Sequence, residues 1–218
     1  MPRLPYPPAV PSTVDLRRSA VAERIRRERL IVVLRRVEPQ ERLLALVDEL
    51  REAGAGVFEV TFDGATAPAD LAALRDRHPD ALVGAGTLRT AGQLAGARDA
   101  GAAFGVSPVL DREVVDAALA AGLPFLPGAH SPSEVDLAWR AGATFVKLFP
   151  ASSLGPAHIR ELRAPLPEIE TIVTGGVDAS NARSFLDAGA VAVGMGSALV
   201  AAGPDERGAI VAAVRDAR

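Results

Sequence analysis

Along the chain, Ala-rich amphipathic stretches alternate with short apolar runs. Five of these stretches close on a glycine: Ala53-Gly54-Ala55, Ala100-Gly101-Ala102, Ala121-Gly122, Ala141-Gly142-Ala143 and Ala188-Gly189-Ala190. A glycine just past a helix end accepts the left-handed backbone that turns the chain back. The apolar runs that follow, at 57–62, 104–106, 124–127, 144–148 and 191–194, read as strands buried on both faces, as in a parallel sheet. Successive glycines lie 47, 21, 20 and 47 residues apart. Each long gap holds two units, with weaker runs at 81–85 and 170–174, and 30–34 supplies a first strand. Eight strands, each followed by a helix, predict a single-domain α/β chain, a (β/α)8 TIM barrel. Residues 14–29 predict an extra leading helix. Its charges, Asp15, Arg17, Arg18, Glu23, Arg24, Arg26, Arg27 and Glu28, read most simply as a solvated face. The competing fold, an open doubly wound sheet, carries a Gly-rich turn after its first strand. Here Arg35-Arg36-Val37-Glu38-Pro39 follows, and no G-x-G-x-x-G succeeds any strand.

Composition narrows the function. The 218 residues carry 24 basic and 27 acidic side chains, a formal charge of -3, with both signs mixed along the chain. That leaves no broad basic footprint for nucleic acid. The absence of Cys excludes disulfides, thiolate zinc sites and iron–sulfur clusters. No run approaches the roughly 20 apolar residues of a membrane helix. Pro2, Pro5, Pro7, Pro8 and Pro11 exclude the apolar helix of a signal peptide. Residues 1–12 therefore read as a proline-rich surface tail before a barrel domain over 13–218, and the cytoplasm is the expected compartment. Of the basic residues 23 are Arg; Lys147 is the sole lysine and Asn181 the sole asparagine.

Chemistry in such barrels sits at the C-terminal ends of the strands. Lys147 lies in Thr144-Phe145-Val146-Lys147-Leu148-Phe149. Alternation puts Phe145, Lys147 and Phe149 inward, because the opposite parity would bury an ammonium between strand and helix. A desolvated amine near the barrel mouth has a lowered pKa and can attack a carbonyl to form a Schiff base. An arginine cannot do this. A structural ion pair and a phosphate clamp are the other roles open to it. In Val57-Phe58-Glu59-Val60-Thr61-Phe62 the same alternation points Glu59 and Thr61 inward. Strands two and six face each other across an eight-stranded barrel, so Glu59 and Lys147 approach one another. Glu59 then either shuttles protons or merely neutralises the amine.

Two glycine clusters, Thr174-Gly175-Gly176 and Gly194-Met195-Gly196-Ser197, end strands seven and eight. Those loops often bind phosphate through backbone N–H groups. Either cluster alone would be only a tight turn; together they predict a phosphate site with Ser197 adding a hydroxyl. No metal and no cofactor are expected. His78 and His158 read as surface residues, and His130 lies near the fifth strand's end without partners at ligand spacing.

The ordered set Glu59-Val60-Thr61, Gly84-Ala85-Gly86-Thr87, Ser107-Pro108, Pro127-Gly128, Val146-Lys147-Leu148-Phe149-Pro150, Thr174-Gly175-Gly176 and Gly194-Met195-Gly196-Ser197 resembles the class I 2-keto-3-deoxy-6-phosphogluconate / 4-hydroxy-2-oxoglutarate aldolases. The resemblance spans roughly residues 30 to 200. It implies a lyase that cleaves a phosphorylated keto-deoxy sugar acid to pyruvate and glyceraldehyde 3-phosphate. Lys147 would be the Schiff-base residue and Glu59 the general acid/base. Arg35, Thr61, Asp63, Thr87, Pro108 and Phe149 form the expected substrate-binding set, and Gly175, Gly176, Gly196 and Ser197 the phosphate-binding set. It also implies a homotrimer that needs no metal. One departure stands out. Many members carry Arg four residues after the catalytic Glu, where this chain has Asp63. Arg35, together with Phe149-Pro150-Ala151-Ser152-Ser153-Leu154-Gly155-Pro156, is similar to the 6-phosphogalactonate branch, which also lacks that Arg. Two alternatives stay open: another phosphate-binding barrel synthase or isomerase, and a lapsed aldolase-like binding protein.

Overall fold

The computed structural model describes residues 13–216, and the expected proline-rich tail over 1–12 lies outside them. After α1 (Thr13–Glu28) the strands are β1 (Leu30–Leu34), β2 (Val57–Thr61), β3 (Leu82–Gly86), β4 (Gly105–Val106), β5 (Phe125–Leu126), β6 (Gly128–Ala129), β7 (Val146–Leu148), β8 (Thr171–Thr174) and β9 (Ala192–Met195). Helices α2 (Gln40–Glu52), α3 (Ala67–Arg77), α4 (Ala91–Asp99), α5 (Arg112–Ala120), α6 (Pro132–Arg140), α7 (Gly155–Arg163) and α8 (Ala182–Asp187) alternate with them. The short α9 (Ser197–Ala201) and the longer α10 (Pro204–Arg215) follow β9.

All strand pairs are parallel, in the order β5-β4-β3-β2-β1-β9-β8-β7-β6. The two edges of this sheet, β5 and β6, are successive halves of one segment. Pro127 sits between them and has no N–H to give a ladder. The first half pairs with β4 and the second with β7, while the Pro127 carbonyl accepts from Lys147 N–H at 2.9 Å. The expected fifth strand is therefore present but broken at its proline, and the ring it joins is a nearly closed barrel. All five repeat glycines adopt positive φ: 95° at Gly54, 90° at Gly101, 65° at Gly122, 94° at Gly142 and 107° at Gly189. The left-handed turn read from the repeats is what sends each helix back into a strand.

Two cores follow from the strand parity. Val32, Leu34, Phe58, Val60, Val146, Leu148, Val173 and Val193 pack outward against the helices. Ile31, Val57, Phe104, Phe145, Ile172 and Ala192 fill the lower barrel interior, and Val21, Ala22 and Ile25 of α1 close it from below. The leading helix thus lies over one end of the barrel and plugs it. Its spacing i, i+1, i+4 forms one apolar stripe. Some of its charges are engaged at the rim instead of solvated: Arg24 Nε forms an ion pair with Glu28 at 2.8 Å, Glu28 is buried, and Arg26 Nε donates to Glu170 at 2.8 Å. A helix laid across a barrel end places its flanking charges against the strand termini there.

Candidate active site

Above the plug, the interior changes character. The inward positions nearest the mouth are Glu59, Lys147 and a set of glycines. In register, Glu59 stands beside Val33 and Gly84, and Lys147 beside Gly128 and Ile172. The glycines are space, not mere flexibility. A methyl on Gly86 would overlap Glu59 Oε1, one on Gly84 the Phe104 ring, and one on Gly194 the Thr174 side chain. Those glycines make room for the side chains that surround a cavity of about 520 Å³ in the upper barrel. Glu59, Lys147, Arg35, Phe149, Gly175, Gly176, Gly196 and Ser197 all line it.

Lys147 is only 6% exposed and Glu59 only 1%. Burial pushes the Lys147 amine below the ordinary lysine range; Glu59 opposes that shift and Arg35 reinforces it. Lys147 Nζ lies 5.1 Å from the centroid of the Phe149 ring. Glu59 Oε2 has no hydrogen-bond partner, nor has Thr174 Oγ1, which also belongs to a buried residue on the cavity wall. A buried polar atom left unpaired costs free energy, so an acid in this state is held ready to bond something in the cavity.

Arg35 continues inward from β1 but is not free. Its Nη1 donates to Asp63 Oδ2 at 2.7 Å and its Nη2 to Thr87 Oγ1 at 3.2 Å. Burial alone would raise the Asp63 carboxyl. The nearby Thr61 hydroxyl and the Arg35 and Arg36 guanidinium groups outweigh it and hold Asp63 below the usual carboxylate range. The Arg36 Nη2 group also donates to the Asp63 carbonyl at 2.9 Å. Thus Asp63 reaches the mouth as the holder of Arg35. Thr61, Asp63, Thr87 and Pro108 do not line the cavity itself. Thr61 Oγ1 donates to the Leu34 carbonyl at 3.4 Å, and the Pro108 carbonyl lies over Gly128.

The glycine cradle is braced from below. Gly175 and Gly176 have φ of 88° and 79°, and added methyl groups would meet the Phe149 ring and Ser152. Ser152 N–H donates to the Gly175 carbonyl at 2.9 Å. Asn181 Nδ2 donates to the Gly176 carbonyl at 2.9 Å, and Asn181 Oδ1 accepts from Asp178 N–H at 3.0 Å. The task of this sole asparagine was not foreseen from the sequence; its place five residues past Gly176 was the available signal. Arg42 and Thr174 on the cavity wall were also missed as site residues. Among the described residues no group of three His, Asp or Glu is placed to hold a metal ion. His130 is exposed, with Nδ1 3.2 Å from the Phe149 carbonyl. His78 and His158 are half-buried rather than fully at the surface, because both lie where a helix packs on its neighbours.

The family model for KDPG and KHG aldolases matches residues 21–212. A 2-dehydro-3-deoxy-6-phosphogalactonate aldolase of Escherichia coli K12 is 35% identical over 176 residues, covering 80% of this chain and 85% of its own. A 2-dehydro-3-deoxy-phosphogluconate aldolase of Pseudomonas aeruginosa is 35% identical over 161 residues, 73% of each chain. The structure of the KDPG aldolase of Legionella pneumophila, with pyruvate captured as a covalent carbinolamine intermediate, superposes with a TM-score of 0.78. It is 28% identical and covers 89% of this chain and 96% of its own. With strand order, interior lysine and model match in agreement, the chain belongs to the KDPG and KHG aldolase family.

Proposed function

We propose that this protein is a class I aldolase that cleaves a 2-keto-3-deoxy-6-phospho sugar acid to pyruvate and glyceraldehyde 3-phosphate. The observation that carries the reading is a single buried amine, with its pKa lowered, sharing one cavity with a buried carboxylate that has an unpaired oxygen. The lowered pKa raises the neutral fraction of Lys147, whose lone pair attacks the C2 ketone. Glu59 relays protons while the carbinolamine loses water. The iminium so formed is an electron sink. Glu59 then takes the C4 hydroxyl proton, the C3–C4 bond breaks, and its electrons pass to the iminium to give an enamine. Glyceraldehyde 3-phosphate leaves. The enamine is protonated at C3, and water hydrolyses the imine to pyruvate and free Lys147.

The remaining residues divide the substrate between them. Gly175, Gly176, Gly196 and Ser197 cradle the phosphate with backbone N–H groups and a hydroxyl. Arg35, held by Asp63 and Thr87, offers its free edge to the polar hydroxyacid portion. Phe149 borders the pyruvate carbons, while Thr61 and Pro108 act from behind the cavity wall, Thr61 through the Leu34 carbonyl and Pro108 over Gly128. A homotrimer in the cytoplasm is part of the same proposal and rests on the family; the solution mass tests the trimer.

Borohydride reduction in the presence of pyruvate, read by mass spectrometry, tests the mechanism. The expected result is a covalent adduct on Lys147 in the parent, none in a folded Lys147→Arg variant, and slowed turnover with partial trapping in Glu59→Gln. Pyruvate release from phosphorylated keto-deoxy acids without any adduct on Lys147 would overturn it in favour of a barrel enzyme that uses the amine only as a clamp. An adduct without pyruvate release from any such acid would point to the lapsed-enzyme reading.

A further inference from the structure

We infer that Arg42, on the first turn of α2, is a phosphate-recognition residue of the same cavity, one that sets preference for phosphorylated over unphosphorylated substrates. The inference rests on the aldolase reading for its substrate but on the cavity for its chemistry. Arg42 lines the wall together with Gly175, Gly176, Gly196 and Ser197 and with Val200 and Ala201 of α9. Everything else on that side is backbone, the hydroxyls of Thr174 and Ser197, or apolar carbon. None of it carries a formal positive charge to balance a phosphate dianion. Arg35, the other guanidinium in the cavity, already spends its charge on Asp63.

Arg42 is differently placed. It is exposed, and among the described residues its side chain makes no ion pair and no hydrogen bond to protein. Nearby arginines contrast with it: Arg51 pairs with Asp80, and Arg207 pairs with Glu49. Its position is also electrostatically unfavourable, because a cation in the first turn opposes the positive end of the helix dipole. An anion between Arg42 and the glycine loops would relieve that opposition and complete the charge balance. A guanidinium fork matches two phosphate oxygens at once, which a point-charge ammonium does not.

The test uses the purified full chain and binding rather than turnover. Kd values for 3-phosphoglycerate and for glycerate are measured by calorimetry. Their ratio reports phosphate recognition, with no aldol chemistry involved. The parent is expected to favour the phosphorylated ligand. Arg42→Ala is expected to cut that preference by about tenfold or more, the size of a lost charge-assisted contact. Arg42→Lys is expected to restore part of it. Arg160→Ala, which removes an exposed charge on α7 away from the cavity wall, controls for net charge and is expected to keep the parent ratio. A parent that does not discriminate, or an Arg42→Ala chain with the parent ratio, overturns the inference, as does an equal loss in Arg160→Ala. If the ratio behaves as expected but Lys147 is never trapped, the phosphate site stands and the aldolase reading falls.

Discussion

The lowered pKa of Lys147 comes from two effects acting in the same direction. Burial removes water from the ammonium, and Arg35 adds a like charge nearby; Glu59 alone pulls the other way. The rate of pyruvate-dependent trapping should therefore rise with pH through a midpoint below the ordinary lysine value of about 10.4. Arg35→Gln removes one of the two depressing effects, so the amine holds its proton longer and the midpoint should move to higher pH. A trapping profile across the alkaline range checks this, and an unmoved midpoint would mean that burial alone sets the amine. The inward direction of Glu59 and Lys147 was legible in the sequence, because a short strand with aromatic and aliphatic residues on one parity leaves the charged parity nowhere else to point. The grip of Asp63 on Arg35 was not. It joins residues 28 positions apart through loop conformations, with Arg36 at φ 48° and Thr87 at φ 60°, that no periodicity encodes. The departure at Asp63 was visible as a wrong charge; its physical sense, a carboxylate that orients an arginine from the neighbouring strand, needed the fold.

At the scale of elements, glycine and arginine each perform one repeated task. Glycines on the inward parity of β3, β6 and β9 make room for neighbouring groups, and glycines past the helices make the turns. Gly86 is the sharpest case, since its missing side chain is the volume occupied by the Glu59 carboxylate. Gly86→Ala should leave the barrel folded, because a flexible carboxylate can give way. It should displace the proton relay, however, and lower kcat by about a hundredfold, the usual cost of misplacing a reacting group by an ångström. Steady-state kinetics beside a denaturant melt separates the two effects; equal loss in both would show a packing defect instead. Arginines bond carbonyls at helix and strand ends: Arg75 reaches Ala100, Arg215 reaches Gly54 at 2.8 Å, and Arg207 reaches Leu199 and Val200. A cation at a helix C-terminus meets the negative end of the dipole. The glycine turns were readable from the Ala-Gly repeat alone. The break at Pro127 was less so, because proline in a run of apolar residues marks a weak point without saying which neighbour each half will pair with.

The whole molecule separates stability from chemistry along the barrel axis. Below, α1 drives Ile25 into a dry interior beside Ile31, Phe104 and Phe145; above, the glycine-lined end holds the charged groups and the cavity. The two ends share strands but no side chains. A defect at the bottom should therefore weaken the fold and spare the reaction. Ile25 is fully buried, so Ile25→Ala leaves a void in a layer that helices and strands both restrain from collapsing. Such truncations cost about 2–5 kcal/mol, and in a chain of this size each kcal/mol lowers the melting midpoint by about 2–4 °C. The expected variant melts roughly 4–20 °C below the parent while keeping kcat and KM for pyruvate release at temperatures where both are folded. Thermal denaturation followed by circular dichroism and a coupled pyruvate assay check the two halves together. A fall in kcat as large as the fall in stability would show that the lower layer sets the position of Lys147 through Phe145, two residues before it on the same inward face. The plug would then belong to the active site's positioning and not only to the barrel's stability.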